Sequence, residues 1–417
     1  MSCRPCGPAS DQPPRGRTHS TQAPDQASPL LRSSLPFPPA KQGIKMIDIG
    51  INLCDQQYRG MNRGRQQRPG DLPVMLQRGW DAGVDRAYAT AGSLRDLLTS
   101  LRICVDEPRL MTTAGVHPSS SKDAVAARPD MRSGKPETYE GLFPGHYDVS
   151  LLAPYARIEQ ESGHARMNNY FRALDALLAA DQEQMAHSLA NGLPAHRKII
   201  AVGECGLDYD RLRHTTKNIQ KDVFMRHFDL SEKYRLPMFL HSRNSCDDFL
   251  SIMKQNLHRV PGGGVVHSFT GSWEEAKQLI ELGLFLGVNG CSLKTEDNLQ
   301  TVRRIPLELL LLETDGPWCM IRRSHAGYHL IRSHYPQTRP ESATHPLSVV
   351  RDRVELVHMN PVLEVVTAIR HPDGPEAYQL LSDEEKDAAE RALAHQVFLN
   401  TLRLFHPEEY ATHASAQ

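Results

Sequence analysis

An α/β fold, a (β/α)8 TIM-type barrel, is predicted for this 417-residue chain from three features. From Met46 onward there are eight short apolar runs, and segments with a helical pattern lie between them. The runs are continuously apolar rather than alternating in polarity, which is typical of parallel strands buried on both faces. Eight successive strand–helix units are the number that closes such a sheet into a barrel.

The eight runs are rich in β-branched or small residues and in chain order read KMIDIGIN, RAYATAG, LMTTAGVHP, KIIAVGECG, PMFLHSR, GGVVHSF, LFLGVNG and LLLLETD. Helices are predicted between them. In SWEEAKQLIELG, Ser272 and Glu275 fit a capping box and Gly283 fits a C-cap. The segments FRALDALLAADQEQMAHSLA and LSDEEKDAAERALAHQVFLNTLRLF also read as helices.

The domain organisation predicted is a disordered tail, residues 1–45, followed by a single barrel domain, residues 46–417. The tail is rich in Pro, Ser, Gln and Arg and has no hydrophobic periodicity, as is typical of disordered segments. Its arginines leave mitochondrial targeting open, and Met46 is an alternative start of translation. A polar, Pro- and Gly-rich stretch at about 119–165 interrupts the strand–helix rhythm, so we interpret it as an insertion.

Composition limits the classes of partner and the compartment. Lys and Arg number 48 against 49 for Asp and Glu, so the net charge is -1 and no overall basic field attracts nucleic acid. A phosphate-bearing substrate must therefore be held by local groups or by a bound cation. Because no apolar run approaches the ~20 residues that cross a bilayer, no membrane partner is expected. The scattered cysteines and the lack of an apolar leader predict an intracellular protein, cytoplasmic or nuclear, with its oligomeric state open.

Polar residues end four of the later apolar runs. Glu204, His241 and His267 end the fourth, fifth and sixth runs, and Asp315 ends the eighth. The carboxyl ends of barrel strands meet on one face, which is where barrel enzymes carry their chemistry. Two imidazoles and two carboxylates suit a divalent cation, so we expect these four side chains to form a metal site.

The first and third runs add further candidates to the same rim. By the two-residue alternation of a strand, Asp48, Gly50 and Asn52 are expected to share one inward face, with Asp48 as a further ligand or as a group that holds a ligand in place. Gly50 would keep the mouth open, and Asn52 would offer its amide to substrate. His117 is a candidate for binding substrate phosphate, and packing beneath its loop is an equal alternative.

The ordered motifs AVGECGLDYD, PMFLHSRNS, VVHSFTG and ETDGPW resemble those of the TatD family of metal-dependent deoxyribonucleases, from about residue 46 to the last helices. The segments DIGIN, NGCSLKTEDNL and PWCMIRRSHAG are most similar to its eukaryotic branch. The resemblance implies a metallo-dependent hydrolase-like barrel that cleaves DNA phosphodiester bonds as a 3′–5′ exonuclease. It also implies a divalent cofactor, Mg²⁺ as one or two ions, and DNA as the substrate.

The same resemblance implies roles for individual residues. Glu204 would ligate or bridge the metal, His241 and His267 would be further ligands, and Asp315 would be both a ligand and the general base. Two segments depart from the family. Gly50 and Asn52 stand where many relatives carry His-x-His, which puts a tight second metal site in question. RDRVELVHM, residues 351–359, stands where relatives tend to carry Arg-Asn-Glu-Pro, and this change could alter the pocket wall.

Two questions stay open at this level. Arg59, Arg63 and Arg65, in YRGMNRGRQ, are candidates for contact with the DNA backbone, although a charged solvated loop explains each of them equally well. The same barrel and ligands also suit a metal-dependent amidohydrolase acting on a substrate other than nucleic acid, or a catalytically weak barrel that acts as an interaction protein.

Overall fold

The computed structural model describes residue 38 and residues 41–62, 64–105, 107–126, 161–191, 197–342 and 345–415. Nearly all of the predicted tail, residues 1–45, lies outside these ranges, as does Arg63. The predicted insertion at about 119–165 also lies largely outside them, and its described beginning, Pro118–Ala124, forms a 3-10 helix.

The barrel prediction is confirmed: each of the eight apolar runs contains a strand of a single eight-stranded sheet. In chain order the strands β1 to β8 are Met46–Ile51, Val84–Ala89, Leu110–Ala114, Ile199–Asp208, Met238–Arg243, Gly264–Val266, Phe285–Val288 and Leu310–Leu312. Every neighbouring pair is parallel and the order in the sheet is the order in the chain. This is the topology of repeated strand–helix units.

The backbone between β8 and β1 brings the two edges of the sheet together. Asp315 N donates to Gly50 O at 2.8 Å, and Asn52 N donates to Gly316 O at 2.7 Å. A further parallel bridge joins Ile51 to Gly316. These bonds lie at the carboxyl ends of both strands, so barrel closure itself positions the loop that carries Asp315.

Helices cover the outside of the sheet. In chain order α1 to α11 are Leu72–Asp81, Leu94–Val105, Gly163–Ala190, Lys217–Tyr234, Cys246–Asn256, Trp273–Glu281, Glu296–Arg304, Met359–Arg370, Gly374–Leu380, Asp383–Phe405 and Pro407–Ser415. The capping box of Ser272 with Glu275 is present at α6, and Gly283 beyond its end has a φ of 75°. None of the helices in the described ranges combines the length and apolarity needed to cross a membrane.

The inside of the barrel is a packed core rather than a channel. Ile47 and Ile49 of β1 belong to this buried cluster, to which the other strands contribute Tyr88, Met111, Ile200, Phe239, Val265, Phe285 and Leu311. The end of α10 adds Phe398, Leu402 and Phe405. Because Asn400 Nδ2 of that helix donates to Leu310 O at the start of β8, α10 covers the amino ends of the strands. The carboxyl ends are left for function.

The expectation that Asp48, Gly50 and Asn52 share one inward face is wrong for Asp48. Ile47 and Ile49 point into the barrel, so Asp48 between them lies on the opposite face. The register of β1 against β2 shifts between Asp48 and Ile51, which marks an extra residue in β1. This bulge brings Gly50 back toward the interior, where a Cβ on it would lie 3.2 Å from Phe239 Cζ.

Candidate metal centre

Three of the four predicted ligands meet at the carboxyl end of the barrel. His241 Nδ1 lies 2.9 Å from Glu204 Oε1, and His267 Nε2 lies 2.8 Å from the same oxygen. The two imidazole nitrogens are 3.4 Å apart. These three atoms therefore form a compact triangle of one oxygen and two nitrogens, drawn from three neighbouring strands.

Gly206 allows β4 to carry its carboxylates beside β5. Its φ is +139°, and a Cβ at this position would lie 2.0 Å from His241 O. Only glycine avoids that clash and is comfortable in this backbone conformation. Glu204 and Asp208, on either side of it, are thereby held close to the imidazole of His241.

A carboxylate lies behind each of the two imidazoles. Asp208 Oδ2 is 3.5 Å from His241 Nε2, and Glu313 Oε2 is 3.5 Å from His267 Nδ1. Each ring therefore faces Glu204 with one nitrogen and a second buried acid with the other. This is the arrangement in which an outer carboxylate fixes the orientation and tautomer of a metal-binding histidine.

Sequence reasoning missed Asp208 and Glu313, although a signal for both was present. Asp208 is four residues after Glu204 and Glu313 is two residues before Asp315. Even spacings in extended backbone place side chains on the same face. The alternation that was applied to the first strand would have found both acids if it had been applied to the fourth and the eighth.

Asp315 lies at the same rim and is held by two donors. Asn52 Nδ2 donates to Asp315 Oδ1 at 2.9 Å, and Cys319 Sγ donates to Asp315 Oδ2 at 3.2 Å. Among the described residues, two clusters have possible ligand atoms that all lie within 4.8 Å of one another, and Asp315 belongs to neither of them. The structure thus brings Asp315 to the rim of the triangle formed by Glu204, His241 and His267, but not into it.

His117 joins this cluster. Its Nε2 lies 3.4 Å from Glu204 Oε1, and its ring meets that of His241 edge-to-face at 4.6 Å. Ser119 N donates to His117 Nδ1 at 3.0 Å, so a neutral ring carries its proton on Nε2. Burial lowers the pKa of His117 to about 4, which keeps the ring neutral and makes Nε2 a donor aimed at the site. His117, Asp208 and His241 also form a second group with metal-ligating spacing.

Asp48 is occupied elsewhere. Thr314 N and Gly50 N donate to Asp48 Oδ1 at 2.9 and 3.1 Å, and Thr314 Oγ1 contacts Asp48 Oδ2 at 2.6 Å. Burial raises the pKa of Asp48 to about 8 against the opposing effect of the Thr314 hydrogen bonds. The side chain therefore joins β1 to the segment after β8, where it supports barrel closure.

The arginines after β1 stay apart from this cluster in the part of the chain that the structure describes. Arg59 Nη2 donates to Cys54 O at 3.2 Å, and Arg65 lies exposed in a short antiparallel pairing of Met61–Asn62 with Arg65–Gln66. Arg63 falls outside the described residues.

The divergent segment 351–359 forms a buried ionic cluster behind the site. Arg353 donates to both oxygens of Asp71 at 2.7 and 2.6 Å and to Glu355 at 2.7 Å. Between these residues, Val354 N donates to Pro317 O at 3.0 Å, two residues after Asp315. The segment therefore anchors the loop that carries Asp315.

Charges within the cluster are strongly coupled. Burial raises the pKa of Glu204, but His267, His117 and His241 outweigh this effect and the pKa lies well below its ordinary value. Burial lowers the pKa of His267, whereas Glu204 and Glu313 raise it well above its ordinary value overall. The pKa of His241 is raised as well, because Asp208 and Glu204 outweigh burial. Protons on the two imidazoles thus neutralise the buried acids, and binding of a divalent cation would displace them.

These residues fit a divalent cation. The separations of 2.8, 2.9 and 3.4 Å match those of neighbouring ligand atoms around an ion whose bonds are about 2.0–2.2 Å long, roughly 2.8–3.6 Å. Within the described residues, four buried atoms of this cluster also lack a hydrogen bond: Asp208 Oδ2, His241 Nε2, His267 Nδ1 and Glu313 Oε2. These four atoms face one another in the two imidazole–acid pairs at 3.5 Å, so the fit of a cation rests on the spacing of the three ligand atoms.

A (β/α)8 barrel with a carboxylate–imidazole cluster at its carboxyl end defines a metallo-dependent hydrolase type of barrel. Comparison with known proteins specifies it further. A family model described as "TatD related DNase" matches residues 47–366, so this chain belongs to the TatD-related DNase family.

Relatives and solved structures agree with this assignment. The "Deoxyribonuclease Tat-D" of Schizosaccharomyces pombe is 33% identical over 330 residues, which cover 79% of this chain and 90% of that protein. The "3'-5' ssDNA/RNA exonuclease TatD" of Klebsiella pneumoniae is 38% identical over 280 residues, which cover 66% of this chain and 80% of that protein. The crystal structure of a TatD family hydrolase from Entamoeba histolytica matches with a TM-score of 0.65 and 26% identity, covering 89% of this chain and 100% of that one.

Proposed function

We propose that this protein is a metal-dependent deoxyribonuclease that hydrolyses phosphodiester bonds of DNA and removes nucleotides from the 3′ end. The observation that carries the proposal is the meeting of Glu204, His241 and His267 beside Asp315 at the carboxyl end of the barrel. The yeast and bacterial relatives named as deoxyribonuclease and 3′–5′ exonuclease support the choice of substrate and direction.

Glu204, His241 and His267 would hold the cation, and Asp315 lies at the rim beside these three residues. When bound, a divalent cation supplies positive charge to the phosphate oxygens and lowers the pKa of a water molecule. We propose Mg²⁺ as the physiological ion. The two imidazoles would favour Mn²⁺ or Zn²⁺ in affinity, because nitrogen donors suit transition ions better than magnesium.

Asp315 is the proposed general base. Burial raises its pKa to about 6, with Glu313 and Glu204 adding to the rise and His267 opposing it. A carboxylate with a pKa in this range is ionised at neutral pH and still accepts a proton readily. Asn52 and Cys319 fix its two oxygens, so the proton acceptor is oriented before substrate arrives.

His117 is the proposed donor to the substrate phosphate. Its Nε2 proton points to the region beside Glu204, and the contact of Ser119 with Nδ1 holds the ring in that tautomer. A neutral imidazole in this position donates a hydrogen bond to a phosphate oxygen without adding a full charge to the cluster.

Glu204→Gln tests the proposal. The substitution keeps the shape of the side chain but removes the charge that faces both imidazoles. Cleavage of a 5′-labelled single-stranded oligonucleotide with Mg²⁺ or Mn²⁺ should fall to background, and Mn²⁺ affinity measured by calorimetry should fall with it. Circular dichroism should show the fold unchanged. Glu232→Gln, at an exposed acid paired with Arg259, is the matched control and should retain wild-type activity.

The product ladder of the wild type decides the direction of cleavage, because 3′–5′ digestion shortens the labelled strand one nucleotide at a time. Wild-type turnover by the Glu204→Gln variant would overturn the ligand assignment. If the wild type hydrolyses amides while leaving DNA intact, the protein is an amidohydrolase instead. If it cleaves neither substrate and shows no thermal shift with metal, the barrel is an interaction protein.

A further inference from the structure

Trp318 is an exposed aromatic residue in the loop that carries the proposed general base. It follows Asp315 by three residues, and its backbone N donates to Asp315 O at 3.0 Å. Its side chain is 53% exposed, and it is the one aromatic residue among the exposed large hydrophobic residues of the described chain. An exposed indole at the rim of the site offers an aromatic face on which a planar group can stack.

The other two tryptophans show what a structural role looks like in this protein. Arg109 lies over the ring of Trp80 at 4.4 Å, and Arg304 lies over the ring of Trp273 at 5.7 Å. Both rings are partly buried against the core. By contrast, in the described residues the indole of Trp318 makes no hydrogen bond, ring contact or cation–π contact, so its face is open to a planar group.

Positive charge lies on the same side of the rim. The 3-10 helix Gly290–Leu293 packs against the residue after Trp318, because a Cβ on Gly290 would lie 1.9 Å from Cys319 O, and Lys294 directly follows this helix. Cys319, and after it Arg243 and Lys294, lower the pKa of Cys291 in the same helix. Ala326 N donates to Lys294 O at 3.0 Å and His325 N donates to Arg322 O at 2.8 Å, so the loop after Trp318 brings Arg322 and Lys294 to neighbouring positions.

Two of these three cations are uncompensated. Arg243 pairs with Asp210 at 2.9 Å, whereas Lys294 and Arg322 are exposed and form no ion pair with another described residue. In a chain of net charge -1, this cluster is a local cationic surface adjoining an open aromatic face. That combination is the one that proteins use to bind single-stranded nucleic acid.

We propose that Trp318 stacks on a base of the single-stranded DNA whose phosphate lies at Asp315, while Lys294 and Arg322 bind flanking phosphates. The inference rests on the proposed function for the substrate. It adds the residue that makes a single strand preferred, because a base held in a duplex cannot leave its partner to stack on the indole without loss of pairing. Trp318 is therefore a specificity-determining residue, and it takes no part in the chemical step.

Binding without catalysis tests the proposal directly. The dissociation constant of a fluorescein-labelled single-stranded oligonucleotide is measured by anisotropy, with EDTA present, for the wild type, Trp318→Ala and Trp318→Phe. Stacking on an aromatic ring predicts roughly 5- to 100-fold weaker binding by Trp318→Ala and binding by Trp318→Phe close to that of the wild type. Leu380→Ala, at a residue 88% exposed on α9, is the control and should bind like the wild type.

Two kinetic measurements separate specificity from chemistry. Trp318→Ala should raise KM for the single strand and reduce the preference for single strand over duplex. Cleavage of an oligonucleotide with abasic residues at its 3′ end, which offers no base to stack on the indole, should stay within twofold of the wild type. Lys294→Gln with Arg322→Gln should reduce the salt dependence of oligonucleotide binding.

Unchanged oligonucleotide affinity in Trp318→Ala would overturn the proposal, and so would an equal loss of activity on the abasic oligonucleotide. A wild-type protein that binds the oligonucleotide through Trp318 but never cleaves it would contradict the proposed function alone.

Discussion

Gly50 and Glu313 face each other inside the barrel, where a Cβ on Gly50 would lie 2.6 Å from Glu313 Oε2. The glycine therefore makes room for the acid that lies behind His267, rather than merely keeping the mouth of the barrel open. Gly50→Ala should push Glu313 away from His267 Nδ1, which lies 3.5 Å from it. We expect Mn²⁺ affinity to fall about 10- to 100-fold, as on loss of an outer carboxylate, together with destabilisation of about 1–3 kcal/mol from overpacking.

Calorimetric Mn²⁺ titration and urea unfolding check the two parts of this prediction separately. The double variant Gly50→Ala with Glu313→Asp shortens the displaced side chain by one methylene and should recover stability but not metal affinity. Wild-type Mn²⁺ affinity in Gly50→Ala would show that Glu313 has no influence on His267.

Asp208→Asn tests the second outer carboxylate. The substitution retains size but removes the charge 3.5 Å from His241 Nε2, and this charge raises the pKa of His241 against burial. Without it the imidazole is less basic and less firmly oriented, so Mn²⁺ affinity should fall about 10- to 100-fold with the fold intact. Asp222→Asn, at an exposed residue of α4, is the control and should leave affinity unchanged. Equal affinities in the two variants would contradict the role given to Asp208.

The fold and much of the site were accessible from the sequence because their signals are local. Each strand is a continuous apolar run, and the ligands Glu204, His241 and His267 stand at or near the ends of such runs. Strand order in a repeated strand–helix barrel follows chain order, so the meeting of these ends follows from the topology alone.

The features that could not be predicted from the sequence are those that depend on strand register and on contacts between distant segments. The face of Asp48 was predicted wrongly because the bulge in β1 has no clear signal beyond a glycine, which also has other uses. The contact of Arg353 with Asp71 joins residues 282 positions apart, and no periodicity predicts such a pair. Three predictions concern residues outside the described ranges and stay predictions: the disordered tail, most of the insertion at about 119–165, and the binding of substrate by Arg63.

Arg353→Met should strongly destabilise the protein. Arg353 is 1% exposed, and its guanidinium holds both oxygens of Asp71 and one of Glu355. Removal of one partner from a buried ion pair leaves the other charges uncompensated, which costs about 3–5 kcal/mol. Urea unfolding followed by circular dichroism measures the loss. Arg351→Met, at an exposed arginine of the same segment, is the matched control and should change stability by about 0.5 kcal/mol or less. If Arg353→Met lost as little stability as the Arg351→Met control, a structural role for this buried cluster would be excluded.

His227 gives the protein an acid-sensitive anchor behind the loop that carries His117. Its Nε2 accepts a hydrogen bond from Val116 N at 3.0 Å, and its Nδ1 donates to Val223 O at 2.8 Å. The ring is fully buried, and this burial lowers its pKa from the ordinary 6.5 to about 4. A proton on Nε2 would point at the Val116 N–H, so only the neutral ring fits this site.

The sign of the pH effect follows from that difference. Below pH 6.5 the unfolded chain takes up a proton on this histidine while the folded protein does not until about pH 4, so stability should fall as the pH falls through this interval. At 1.36 kcal/mol for each pKa unit, the difference between the folded and unfolded pKa of His227 contributes about 3 kcal/mol to the free energy of unfolding at neutral pH. Urea unfolding at pH 7, 6, 5 and 4, with EDTA present, should show a shallower decline in His227→Gln than in the wild type, although the variant starts less stable. His258→Gln, at an exposed histidine, should retain the wild-type slope. Parallel declines in the wild type and His227→Gln would show that His227 titrates alike in the folded and unfolded chains.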